Sequence, residues 1–412
     1  MQAVKTVDDS STRGFGSVVR PGFVAGASAN DPTTVGSLAV VGATTIYGLA
    51  WLVIAILPML AVTQMIAGAV GAATRTSLQA AIVRRYGLLC GLLSLVAIVT
   101  VNLLTLVADV QAGCEALSLL LPIPYQAFLL PFVAAVALML VTHSYARIAT
   151  YLMFLPLLFF AYGLSAILSH ANWGDVLRHI VVPHIETSGI YIAGALALIG
   201  TTITSYEYVW ESIEVAEAPE PRRSGSLRRD AVLGVLAAGA GFLFVLVASG
   251  TTIGLHRLPI ETAADAARAL EPLAGPWAAA LFGFGLLGSA ALTVPILAST
   301  TAYVVAHTFG FSGTLDARPR EAKAFYAIIV IVLLLSAVVS LAGFPLIRLL
   351  FWASIAGGLG TPVTLIFLNL VARNRTLMGS YRVSPSLSLA GWGITAIVTI
   401  VSLAFLFSLF AS

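Results

Sequence analysis

The sequence predicts an all-α membrane protein of about eleven spans, with the first and sixth helices interrupted at mid-depth. Three observations predict it. Of the 412 residues, 59% are hydrophobic and only 9% are Asp, Glu, Lys or Arg. A soluble domain carries roughly 25% charged residues, so this chain lacks the charge to cover a water-facing surface. Apolar stretches long enough to cross a hydrocarbon core of about 30 Å recur along it, and the mean hydropathy is +0.99. Two of those stretches carry, at their centres, residues that a helix disfavours. The same composition excludes a soluble enzyme, a disordered chain and a nucleic-acid binder.

The apolar segments run over 15–46, 48–70, 87–120, 125–142, 150–169, 189–217, 231–255, 276–309, 324–343, 346–372 and 387–411. The first holds GASANDPTT at 26–34, where Pro32 and the Gly, Ser and Asn around it are poor helix residues. The third carries Asp109, Glu115 and Asn102, with Asn102 expected to hydrogen-bond inside the bundle. The sixth holds GTTITSYEY at 200–208, where Thr and Ser compete for backbone hydrogen bonds. The eighth contains Pro295, read as a kink, and Gly283, Gly285 and Gly288, read as close packing. The second, fourth, fifth, seventh, ninth, tenth and eleventh read as plain spans. Cys90 and Cys114 make neither a disulfide framework nor a CxxC motif. The six histidines form no HxxxH or HExxH pattern, and no short apolar region near the start reads as a secretory signal.

Basic residues set the orientation. With the N-terminus inside and every segment crossing, the inner side holds Lys5, Arg13, Arg20, Arg75, Arg84, Arg85, Arg147, Arg222, Arg223, Arg228, Arg229, Arg318, Arg320, Lys323, Arg373, Arg375 and Arg382. The outer side holds only Arg178, Arg257, Arg268 and Arg348. This asymmetry follows the positive-inside rule and supports the count, because one missed span would scramble it. The arginine-rich loop 218–230 reads as a topology signal beside anionic lipid.

The interrupted segments lie five apart, so a five-helix repeat would set them in opposite orientations. Paired interrupted helices mark the binding site of an inverted-repeat transporter. A carboxylate at mid-bilayer costs about 2.5–3.5 kcal/mol on insertion scales, so each acid there needs a reason. Asp31, beside freed backbone carbonyls, suits a hard cation; as a plainer role, it caps the half-helix after Pro32. Glu207, Glu211, Glu214 and Glu217 share one helix face and run from the midplane towards the cytoplasm. The deeper Glu207 and Glu211 read as ligand or pathway residues, the last two as a solvated helix end. Asp109 needs a partner and reads as proton relay or site support, whereas Glu115 is expected to reach the surface.

With PGFVAGASANDPTTVGSLAVVGATTIYGLAW at 21–51 and GTTITSYEYVWESIEVAE at 200–217, the chain resembles the NRAMP family of divalent metal transporters, closest to its magnesium-transporting branch. LLPIP at 120–124, PLAGP at 272–276, PREAKAFYA at 319–327 and ARNRTLMGSY at 372–381 add to the likeness, which covers almost the whole chain. The resemblance implies a LeuT-like fold within a single transmembrane domain over 1–412. Its inverted five-helix repeats would be 15–170 and 187–374, followed by an eleventh helix at 386–411. It implies a metal site of Asp31, Thr34, the carbonyl of Thr201 and Thr204, with Asp109 and Tyr206 pathway-lining or proton-linked; the acidic face of the sixth segment adds Glu207 to the metal site and Glu211 to the pathway.

Thr204 stands where manganese and iron transporters of the family carry methionine, and Tyr206 where they carry histidine. Ala112 stands where the partner glutamate of Asp109 would be. Ser205, Glu207 and Glu211 depart from the magnesium branch, which has proline, an apolar residue and glutamine there. Loss of the thioether leaves oxygen donors, which suit Mg²⁺.

The function expected is inward carriage of Mg²⁺, with Mn²⁺ as a further ion, by alternating access across the cytoplasmic membrane. No cofactor and no nucleic-acid partner are expected, proton coupling is in doubt, and the oligomeric state is open with a monomer favoured. A second reading is a LeuT-like permease for an organic amine or amino acid, with Glu207 pairing its ammonium. A third is a sensor that binds without transporting. No nucleophile–base pair or cofactor motif supports an enzyme.

Overall fold

The computed structural model describes residues 31–142, 161–218, 224–311, 313–315 and 317–411. The first half of the first segment, the start of the fifth, His143 and the arginines at 222 and 223 lie outside the described residues. Most of the described residues are helical. Eight helices are long and apolar enough to cross a membrane among the described residues, and Gln126–Val141 is a shorter apolar helix.

We label the helices in chain order. α1 spans Pro32–Thr45 and α2 Ala50–Thr74. The short α3, Leu78–Tyr86, is followed by the 33-residue α4, Leu88–Leu120. Then come α5 (Gln126–Val141), α6 (Ala161–Leu168) and α7 (Trp173–Val181). The sixth segment is two helices, α8 (Gly189–Thr202) and α9 (Ser205–Glu217). α10 covers Ser224–Ser249 and passes into a π-helical turn at Gly250–Gly254. The remaining spans are α11 (Ala278–Phe309), α12 (Lys323–Ser340), α13 (Leu346–Arg373) and α14 (Pro385–Ala411).

Two differences from the sequence reading have physical causes. The interruption in the sixth segment is only Ile203 and Thr204; Thr201 and Thr202 remain helical. The carbonyl freed at Ile203 accepts a hydrogen bond from Thr361 Oγ1 at 3.0 Å, so a wider unwinding has no orphaned group to relieve. The helices α3 and α7 are additions. Each is capped by a side chain, Ser77 accepting from the Ala80 N–H and Asn172 from the N–H groups of Gly174 and Asp175. That is the N-cap chemistry favoured by Ser and Asn.

Packing follows the apolar pattern. α4 lies along α11 and α13, α8 along α13, and α9 along α2, while α10 covers α1 and α2. α14 is peripheral, with 28% of its most apolar stretch buried. Large apolar side chains such as Leu89, Leu389, Phe407 and Phe410 are exposed. An outer face like this suits hydrocarbon and not water. At Gly200 the backbones of α8 and α13 touch, and a Cβ there would overlap the Ser354 carbonyl and the Gly358 backbone. Small residues make such close approach possible. The bundle core is therefore drawn in around the break between α8 and α9.

Candidate metal site at the helix break

The sequence places Asp31 before Pro32, and the structure makes it the N-cap of α1. Its Oδ1 accepts the Thr34 N–H at 2.6 Å, while Pro at the first helical position fits because its missing N–H would be unpaired anyway. Its Oδ2 accepts from Tyr206 OH at 2.9 Å. Asp31 is therefore a cap and a tie between α1 and α9 at once. An ionised carboxylate has about four lone-pair sites, so two bonds leave roughly half its acceptor capacity for a cation.

Beside it, Thr34 Oγ1 and Thr201 Oγ1 are 2.8 Å apart. The Thr201 carbonyl belongs to the last turn of α8, where helix carbonyls have no intrahelical donor and the negative end of the dipole lies. Thr204 occupies the N-cap position of α9 without a side-chain cap bond and is buried. Glu207 sits in the first turn of α9. Both of its carboxylate oxygens are buried, with no hydrogen-bond partner among the described residues. Glu207 and Asp31 lie within electrostatic reach of each other, and so do Asp109 and Asp31.

Asp109 reaches the same region from α4. Thr33 Oγ1 donates to its Oδ1 at 2.6 Å, and Thr293 Oγ1 to its Oδ2 at 3.0 Å. The partner that Asp109 needs is therefore a pair of hydroxyls. Glu211 is half-buried one turn beyond Glu207, and Glu214 is exposed. Glu217 accepts from Tyr303 OH at 2.9 Å through each oxygen, so the far end of the acidic face is held to α11 and is not merely solvated. Asn102 Nδ2 donates to Thr301 Oγ1 at 3.1 Å, as expected for a bundle tie. Glu115 is half-buried instead of reaching the surface, and accepts from Gln111 Nε2 at 2.9 Å.

Sequence reasoning placed Asp31, Thr34, Thr201, Thr204, Tyr206, Glu207 and Asp109 near one another, and the structure brings them to the ends of α1, α8 and α9 and the middle of α4. It missed Thr33, Thr293 and Ser354, the last accepting from Ser37 Oγ at 2.7 Å. Threonine in an apolar helix commonly bonds back to its own backbone, as Thr293 also does to Ser289 O at 3.2 Å, so its residue type carries no signal of a second partner.

The chemistry is one-sided. Asp31, Asp109 and Glu207 gather in the protein interior, and no Lys or Arg pairs with them among the described residues. An uncompensated buried charge costs several kcal/mol, and no cationic side chain offsets it here among the described residues. The donors are oxygens throughout. No group of three or more His, Cys, Asp or Glu that could hold a metal ion occurs among the described residues.

Comparison with known proteins agrees with this architecture. The crystal structure of the Eremococcus coleocola manganese transporter, in complex with an aromatic bis-isothiourea compound, superposes with a TM-score of 0.73 at 18% identity, covering 97% of this chain and 88% of that one. MhsT in complex with L-phenylalanine gives 0.63 at 16% identity, with 94% and 98% covered. Inward-facing Mhp1 gives 0.55 at 15% identity, with 96% and 91% covered. At these identities the likeness establishes the LeuT-like fold. No curated protein matches the chain in sequence. The family model described as natural resistance-associated macrophage protein-like matches residues 22–408, and the chain therefore belongs to the Nramp family, whose members are transporters and not enzymes.

Proposed function

We propose that the protein carries divalent metal ions across the cytoplasmic membrane by alternating access, taking Mg²⁺ and also Mn²⁺. The observation that carries the reading is the buried acid beside the break of α8 and α9, above all the carboxylate of Glu207, which has no hydrogen-bond partner among the described residues. In this reading Asp31 and Glu207 supply charge, Thr34 and Thr204 give direct or water-bridged hydroxyl contacts, and the Thr201 carbonyl completes the set. Mg²⁺ keeps several of its waters, so few direct ligands suffice. With no thioether or imidazole at Thr204 and Tyr206, nothing in the set favours a soft transition metal.

The two inverted repeats, 15–170 and 187–374, would rock about this site, with the N-terminus inside. Asp109 is held by two hydroxyls and is followed by Ala112 where a second carboxylate would be needed for a relay. Metal transport without an obligatory proton fits that arrangement.

One observation also favours a second reading. An unpartnered buried carboxylate equally suits the ammonium of an organic amine, and the fold is shared with MhsT. Flux in liposomes separates the two. Saturable entry of Mg²⁺ or Mn²⁺ that is indifferent to a pH gradient supports the metal carrier. Entry of neither ion, in vesicles holding folded protein, overturns it in favour of the amine permease.

A further inference from the structure

The proposed metal carriage makes no use of the positive charge gathered between the last two spans. α13 ends at Arg373, and Asn374 then caps a short turn over Arg375–Met378. Arg382 follows before Pro385 starts α14. These elements enclose a cavity of about 400 Å³. Arg373, Arg375 and Arg382 line it, together with Ser388, Leu389 and Trp392 of α14. On α14 the lining residues are spaced by one and three, which puts them on a single helix face. No acidic residue lines the cavity, and none of the three arginines is paired with a carboxylate among the described residues.

Two further features point to an amphipathic anion. The indole Nε1 of Trp392 is buried with no acceptor among the described residues. Leu389, next to it, is 75% exposed on the outer face of a peripheral span, where it faces hydrocarbon. The cavity therefore has a cationic end at the level of the span termini and an apolar end one to two turns deeper.

We propose that this cavity binds the phosphodiester headgroup of an anionic glycerophospholipid. The guanidinium groups hold the phosphate, since their planar forks match its oxygens. The Trp392 N–H donates to the same headgroup, and an acyl chain lies along Leu389. Basic pockets between spans are suited to such headgroups. The site rests on membrane embedding alone, and stands or falls independently of which ion is carried.

The test uses the full chain reconstituted in phosphatidylcholine vesicles titrated with phosphatidylglycerol bearing brominated acyl chains. Trp392 emission is isolated by subtracting the Trp392→Phe protein. Expected is saturating quenching at a small fraction of phosphatidylglycerol, weakened roughly a hundredfold in the R373Q/R375Q/R382Q variant, because each basic residue near an anionic surface contributes about fivefold. Neutralising Arg84, Arg85 and Arg320 together, an equal charge elsewhere, should leave the titration unchanged. If the triple variant fails to insert, Arg382→Gln alone should shift the midpoint about fivefold. Equal quenching by brominated phosphatidylcholine, an equal shift in the control variant, or displacement of the lipid by millimolar inorganic phosphate would each overturn the assignment, the last in favour of a soluble-anion site.

Discussion

Asp31→Asn separates the two roles that Asp31 holds in the structure. Asparagine has the same shape and caps helices as well as aspartate does, so the Thr34 N–H keeps its acceptor and α1 keeps its start. The charge is lost, and the contact with Tyr206 is kept only with its direction reversed, the amide Nδ2 donating to the phenol oxygen in place of a carboxylate oxygen accepting from it. A divalent ion about 4 Å from a carboxylate, at an effective dielectric of about 20, gains roughly 8 kcal/mol. Desolvation of the ion and the carboxylate offsets several kcal/mol of that. A net loss of about 3 kcal/mol corresponds to roughly 150-fold weaker binding. Asp31→Ala removes the cap as well and should lose a further 0.5–2 kcal/mol or so of stability. The assay pairs metal uptake into proteoliposomes with the melting temperature of the detergent-solubilised protein. Expected for Asp31→Asn is uptake near background with a metal-free melting temperature close to wild type. An Asn variant that transports at the wild-type rate would show that Asp31 is a cap and nothing more, and the site would have to be rebuilt around Glu207.

Glu207→Gln removes a buried charge that no hydrogen bond among the described residues compensates, so the metal-free protein should melt higher than wild type while the increment added by Mg²⁺ shrinks; a lower metal-free melting temperature contradicts the assignment. Thr204→Met offers a thioether beside the break, and the ratio of Mn²⁺ to Mg²⁺ entry should rise several-fold, whereas an unchanged ratio places Thr204 outside the ion's contacts. Thr293→Val strips one of the two hydroxyls from Asp109 and should cost about 1–3 kcal/mol of stability, measured by denaturant unfolding in detergent. That cost should vanish in an Asp109→Leu background, where no carboxylate is left to satisfy.

What was legible in the sequence follows from which signals are redundant. The spans were readable because each one rests on some twenty apolar residues, and because the basic residues of successive loops check one another. The break in the sixth segment was readable from Thr201, Thr202, Thr204 and Ser205, but its width was not. Whether a hydroxyl unwinds a helix or ties it to a neighbour depends on what stands opposite, and here Thr34 meets Thr201 while Thr361 meets the Ile203 carbonyl. The same ambiguity hid Thr33 and Thr293. The helices α3 and α7 were missed although Ser77 and Asn172 are ordinary cap residues, because they fall between spans where a membrane-scale pattern does not look. Glu217 is exposed, as a solvated helix end should be, but its tie to Tyr303, 86 residues away, carries no signal in the sequence.

The start of α1 is where these ties converge, and that convergence bears on how binding could become movement. Asp31 holds α9 through Tyr206, Thr33 holds α4 through Asp109, Thr34 holds α8 through Thr201, and Ser37 holds α13 through Ser354. On the proposed reading, a divalent ion entering beside Asp31 would compete for the oxygen that Tyr206 now occupies. A hydrogen bond to a charged group is worth about 1.5–3 kcal/mol, so releasing Tyr206 removes a restraint between α1 and α9 of that size, and the ion compensates with its own contacts. The ion then favours whichever arrangement of α1 and α9 lets it reach Asp31 and Glu207 together, and the equilibrium between arrangements shifts by the difference in affinity. An ion that bound without disturbing the Asp31–Tyr206 bond would stabilise both arrangements alike and move nothing, however tightly it was held.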